Sequence, residues 1–180
     1  MSRYGSVERY QRMMEDLSQR GDQVIDLLQI LDFNAPEDAL WALRAAYNRE
    51  CDSASRLIAA DCAELVLPIF REVYPDETGP RDAIRVARQY VVEEATEWDL
   101  GDARRSAEEA ARCALWNNYM AASAAAYAAA NAASFAGYDS PLAAVMAAAS
   151  AENAIVSDSG EAARGAAWEQ ITEIVRRHLN

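Results

Sequence analysis

Lysine is missing from this sequence, and all 17 basic residues are arginine. That removes Schiff-base and lysine-nucleophile chemistry at once. Histidine occurs once, as His178. It is expected to be exposed and without a partner, so a Ser–His–Asp or Cys–His arrangement is not expected and a histidine-based metal site is excluded. The Glu-x-x-His pairs of ferritin-type di-metal helices are absent. Glycine is scarce, at 7 residues, and forms no phosphate-cradling loop. No cofactor and no metal are expected; the abundant carboxylates leave an enzyme with a carboxylate-only metal or acid–base site as a further alternative.

Cysteine is scarce too: Cys51, Cys62 and Cys113 are odd in number and fit no zinc spacing. They read as small buried residues. The first residues do not read as a secretory segment, so a reducing, cytoplasmic setting is expected. No apolar run approaches the ~20 residues of a membrane span. Strand-forming residues never gather into alternating runs bounded by turns.

What is present is alanine. Hydrophobic residues make up 52% of the 180, much of it alanine, with only 8% aromatic. Alanine has the best helix propensity and lets helices approach closely. The reading is all-α, a compact Ala-rich bundle of eight or nine helices. Residues 1–50 supply N-terminal helices, with room for a small lobe, and 51–180 the bundle. The few bulky side chains, Trp41, Leu57, Leu65, Ile69, Phe70, Ile84 and Trp168, are expected to be buried within it.

The helices can be placed from their punctuation. Residues 6–20 and 24–31 carry apolar residues at helical spacing, and Asn34-Ala35-Pro36-Glu37 reads as a helix start. Ser53 opens the next helix, with Pro68 inside it. Tyr74 to Pro80 is a loop, and Pro80 starts a helix. Asp99 caps another, which runs to about Trp116. A nearly polyalanine tract follows to Ala136, interrupted near Asn117-Asn118, with Gly137 as its stop. Asp139-Ser140-Pro141 begins a helix that ends near Val156. Ser157 to Gly160 separates it from the last, which carries Trp168, Ile171, Ile174, Val175 and Leu179.

Net charge is −12, with 29 acidic residues. That disfavours direct binding to nucleic acid or an anionic membrane and favours a basic protein partner. The densest acidic group is Glu93, Glu94, Glu97, Asp99 and Asp102. It reads either as a solvated helix end or as a docking surface for a partner's basic side chains. Two neutral polar stripes offer an alternative cleft. Ser123, Tyr127, Asn131 and Ser134 share one helix face, and Ser150, Asn153 and Ser157 share another. Arg81 and Arg88, seven apart, share a face as well. At least one of them is expected to pair with Asp61 or Glu64 across the loop.

Several of these segments together resemble a bacterial family of immunity proteins associated with polymorphic toxin systems. They are Asp61-Cys62-Ala63-Glu64, Val66-Leu67-Pro68-Ile69-Phe70, Tyr74-Pro75-Asp76, Pro80-Arg81-Asp82-Ala83-Ile84 and Arg88. The Ala-rich helices from Ala103 to Ala151 and the closing helix around Trp168-Glu169-Gln170 fit the same pattern. The likeness covers roughly residues 55–180. The chain departs from the family at Gly79, where arginine is usual, and at Tyr90, where tryptophan is usual. The family's Ala tract also carries histidines, with Tyr127 and Asn131 the nearest equivalents here, so any role of those histidines does not carry over.

The resemblance implies a non-enzymatic protein that neutralises a partner, foremost a toxin. The alternative is a phage- or mobile-element-encoded inhibitor of a host defence protein, acting as a DNA mimic or by sequestering a small molecule.

Overall fold

The computed structural model describes residues 49–134 and 140–179, with 28, 30, 31, 38–40 and 42 before them. Of these residues 88% are helical and none lies in a strand. The elements are α1 (Arg49–Val73), α2 (Gly79–Val91), α3 (Glu97–Trp116), α4 (Met120–Ala132), α5 (Ser140–Ser159), a 3-10 turn (Glu161–Ala163) and α6 (Arg164–Leu179). That makes seven helical segments among the described residues, where eight or nine helices were expected. The helix expected at residues 6–20 lies outside them, and those at 24–31 and from Asn34 fall where only scattered positions are described. Of the expected separator Ser157 to Gly160, the first three residues belong to α5, and the 3-10 turn follows Gly160.

α4 lies at the centre, packed against α1, α2, α3 and α5. Its sequence explains the position. Ala122, Ala125, Ala126, Ala128, Ala129, Ala130 and Ala132 are all buried, so the helix is covered nearly all round. A methyl group is small enough to let neighbouring backbones close in from several sides. Leu31, Ala39 and Leu40 belong to the same buried cluster.

The packing corrects the expected core. Phe70 and Ile84 are buried, but Leu57, Leu65, Ile69 and Trp168 are only half-buried, and Trp41 lies outside the described residues. The largest fully buried side chains are Phe70, Leu40, Ile58, Leu100 and Ile171, so bulk alone does not decide which residues the Ala-rich helices enclose. Cys62 is buried, and burial pushes its thiol up to about 12. Cys113 is exposed, against expectation.

Local chemistry sets the ends. α2 starts at Gly79-Pro80, where a Cβ on Gly79 would come within 2.7 Å of the Ser106 Oγ and 3.0 Å of the Ser106 carbonyl oxygen on α3. The missing side chain lets α2 seat against α3. α3 is capped by Thr96 rather than by Asp99. The Thr96 hydroxyl accepts from the Asp99 N–H at 3.3 Å, while the Asp99 carboxylate accepts from the Thr96 N–H at 2.7 Å. This is a reciprocal capping box. Between α3 and α4 the chain turns through Asn117 and a left-handed Asn118 (φ 65°). α1 begins at Arg49, before Ser53, and α5 runs to Ser159, past Val156.

One buried cation organises the interior. Arg56 is 3% exposed. Its Nη1 donates to the carbonyls of Ala132 (3.2 Å) and Ser134 (2.7 Å), at the C-terminal end of α4, and its guanidinium lies 4.9 Å from the Tyr90 ring centre. A positive charge there meets the negative end of the helix dipole. Burial lowers the arginine's pKa, with Asp52, Tyr90 and Glu97 acting against it.

Candidate functional site

The acidic residues singled out in the sequence gather at the α2–α3 junction, but their surroundings differ. α2 ends at Val91, and Glu93 takes a left-handed conformation (φ 63°). A non-glycine residue there is strained by roughly 1–2 kcal/mol. Glu93, Glu94 and Glu97 are exposed. Asp99 is also exposed, but its carboxylate is held by Thr96. The hydrogen bonds from the Thr96 hydroxyl and N–H keep it below the usual carboxylate range. Asp102 is paired with Arg105, one turn along the same helix.

Two large apolar residues stand in the open beside these carboxylates, Val92 at 63% and Trp98 at 83% exposure. Sequence reasoning missed both. The missed signal was Trp98 following Glu97 directly in the first turn of α3, beyond the capping residue.

A second charged cluster surrounds Asp61, between α1, α2 and α6. Arg88 Nη2 lies 2.6 Å from Asp61 Oδ1, and the same nitrogen also pairs with Glu64. Arg81 is exposed and takes no part. His178 Nε2 lies 2.8 Å from Asp61 Oδ2, and Arg177 Nη1 lies 3.7 Å from the same oxygen. The expectation that His178 is exposed and unpartnered is therefore wrong. Its contact is with a residue 117 positions away, beyond the reach of local spacing. Burial pushes the Asp61 carboxyl up, but hydrogen bonds from His178 and Arg88 outweigh it and leave the carboxyl below its usual range. Beside the cluster is an open cleft of about 530 Å³, lined by Asp61, Glu64, Leu65, Arg88, Gln170, Glu173, Ile174 and Arg177.

The neutral stripes on α4 and α5 meet at one point. Asn131 Nδ2 is 3.5 Å from Ser150 Oγ, a contact that ties the two helices. Ser123 and Ser134 are buried. Tyr127 is packed against the core, and Asn153 is exposed on α5. Among the described residues, no helix is long and apolar enough to cross a membrane.

Comparison with protein families defines the class. A family described as Imm-5 like putative immunity protein matches residues 53–177. The chain belongs to this immunity protein family. The match runs from the early part of α1 almost to the end of α6, so it takes in the acidic junction, the Ala-rich centre and the Asp61 cluster except for His178. Searches of curated proteins and of solved structures give no match.

Proposed function

We propose that this protein is an immunity protein that neutralises a basic toxin by binding it, without catalysis, through carboxylates at the α2–α3 junction. Family membership carries the functional part of this reading. The location rests on a contrast within the surface. Asp61, Asp102, Glu108, Glu109, Glu152 and Glu161 are paired with arginines. Glu94 and Glu97 are exposed and form no ion pair among the described residues. With Glu93 and the exposed Val92, they present charge beside an apolar contact, as an interface core with a polar rim does. At −12 overall, the chain attracts a basic partner from a distance and speeds its encounter.

The test uses a partner toxin captured with the full chain from the native host, identified and purified. Its affinity for the full chain is measured across a salt series. Glu93, Glu94 and Glu97 replaced together by glutamine should weaken binding, mainly by slowing association, and flatten the salt dependence. Tyr127→Ala serves as the competing variant. A parent-like affinity in the triple variant, with binding abolished by Tyr127→Ala, would move the interaction to the Tyr127, Asn131 and Asn153 face.

A further inference from the structure

α3 is a flanking helix whose outer face is left open by the described residues. Trp98, Asp102, Arg105, Glu109, Arg112 and Trp116 recur along it at intervals of three and four, which places them in one stripe. All six are exposed, Trp98 by 83% and Trp116 by 89%. The two tryptophans are five helical turns apart, so they share a direction at a separation of about 27 Å. Between them Asp102 pairs with Arg105, and Glu109 with Arg112 at 2.7 Å. A run of local ion pairs is what a solvated helix face looks like. Two almost fully exposed tryptophans at its ends are not, since aromatic residues of this size favour interfaces.

The order of the stripe identifies its occupant. We infer that it is a second copy of this chain, packed as an antiparallel α3–α3 pair with its twofold axis at the height of Ala107. In that arrangement residues equidistant from Ala107 come to the same height. Trp98 meets the partner subunit's Trp116, and Asp102 meets the partner subunit's Arg112. Arg105 meets the partner subunit's Glu109. Every charge faces its opposite, and the pairing repeats by symmetry, as an isologous interface requires. A parallel pair in register would set Asp102 on Asp102 and Arg105 on Arg105.

The stripe carries two acidic and two basic side chains, so it lacks the net charge that would select a basic toxin. Its four tryptophans, two from each copy, supply ~600–1,000 Å² at about 150–250 Å² each. The side chains between them can bring that towards the ~1,200–2,000 Å² of a stable interface. Glu94 and Glu97 are not part of the seam. The inference stands on α3 alone and does not rest on the toxin reading.

Sedimentation equilibrium of the full chain over a concentration series tests it, with circular dichroism checking that each variant stays helical. The parent should dimerise. Trp98→Ser and Trp116→Ser should each raise the dissociation constant at least tenfold. Asp102→Arg should do the same, because it sets a new guanidinium against the partner subunit's Arg112 twice over. Adding Arg112→Asp to that variant should restore the dimer, since the opposed charges are then merely exchanged. Residues 102 and 112 are ten apart, too far to meet on one helix, and the exchange leaves each against a like charge within its own helix, so a restored dimer reports a cross-subunit contact and not repair of α3. A parent that is monomeric throughout overturns the inference. So does a dimer indifferent to the tryptophan variants, or one whose charge-reversed form is not rescued.

Discussion

Around Asp61 of α1, side chains from α2 and α6 close on one carboxylate. At the α2–α3 junction, Glu94 and Glu97 face water with no ion-pair partner among the described residues. Both regions are built from the same residue types, yet one holds helices together and the other presents charge. The buried Arg56 is a third case, a cation turned wholly inward to the end of α4. The lesson is that a net charge of −12 does not by itself locate a binding face. Part of it is neutralised inside the scaffold, and only the remainder is available to a partner. Substitutions should divide the same way, with large losses of stability inside and losses of binding alone at the junction.

The largest effect is expected at Phe70, which is 1% exposed and stacked on Tyr74 at 5.3 Å between ring centres. Phe70→Ala should cost about 3–5 kcal/mol in a denaturant melt, and a loss well under 1 kcal/mol would mean that the interior is held elsewhere. Arg56→Leu comes next. It leaves the Ala132 and Ser134 carbonyls without their donor, a loss of about 1–3 kcal/mol. Part of that is offset, because Nε and Nη2 of Arg56 are buried with no hydrogen-bond partner. A variant more stable than the parent would show that desolvating the guanidinium outweighs its two bonds.

Asp61→Asn should cost about 1–2 kcal/mol near neutral pH. The sign of its pH dependence follows from the lowered pKa of Asp61. The stabilisation is full well above 3.8, the ordinary value, and fades as the pH falls through the folded-state value below it. Parent and variant melts should therefore converge in acid. A gap that persists or widens there would break the assignment of Asp61 as a charge-dependent staple.

Much of the architecture could be read from the residues, because helix punctuation is local. Pro80, Pro141 and the Asn117-Asn118 break all fall at or beside helix ends. Thr96 and Asp99 exchanged roles because a capping box places two capping-type residues three apart, and either can be taken for the cap. The core was misjudged in part, since size argues for burial at every position, while the packing encloses Ile58, Leu100 and Ile171 and leaves Leu57, Leu65, Ile69 and Trp168 half-buried. Arg56 and His178 were not legible at all. Their partners lie 76 to 117 positions away and leave no trace in spacing. Of the candidate site, the acidic group was visible as composition. That Asp99 and Asp102 are engaged, and that Glu94 and Glu97 form no ion pair among the described residues, depends on which side chains the fold brings within reach.

The smallest effect on stability is expected from the residues proposed to matter most for binding. Replacing Glu94 and Glu97 together by glutamine removes two charges that form no ion pair among the described residues. Surface changes of that kind usually stay within about 0.5 kcal/mol. Glu97 opens α3, where a negative charge near the helix N-terminus contributes roughly 0.3–1 kcal/mol at low salt. Against this, the substitution relieves repulsion among neighbouring carboxylates in a strongly acidic chain. The two opposed effects should leave the thermal midpoint nearly unchanged, and raising the salt should shrink what difference remains. A loss above about 1 kcal/mol would place these glutamates with Asp61 as structural groups. Weaker toxin binding by their variants would then report damage to the scaffold. An unchanged melt beside a weakened complex would instead locate the effect of these charges at the contact with the partner.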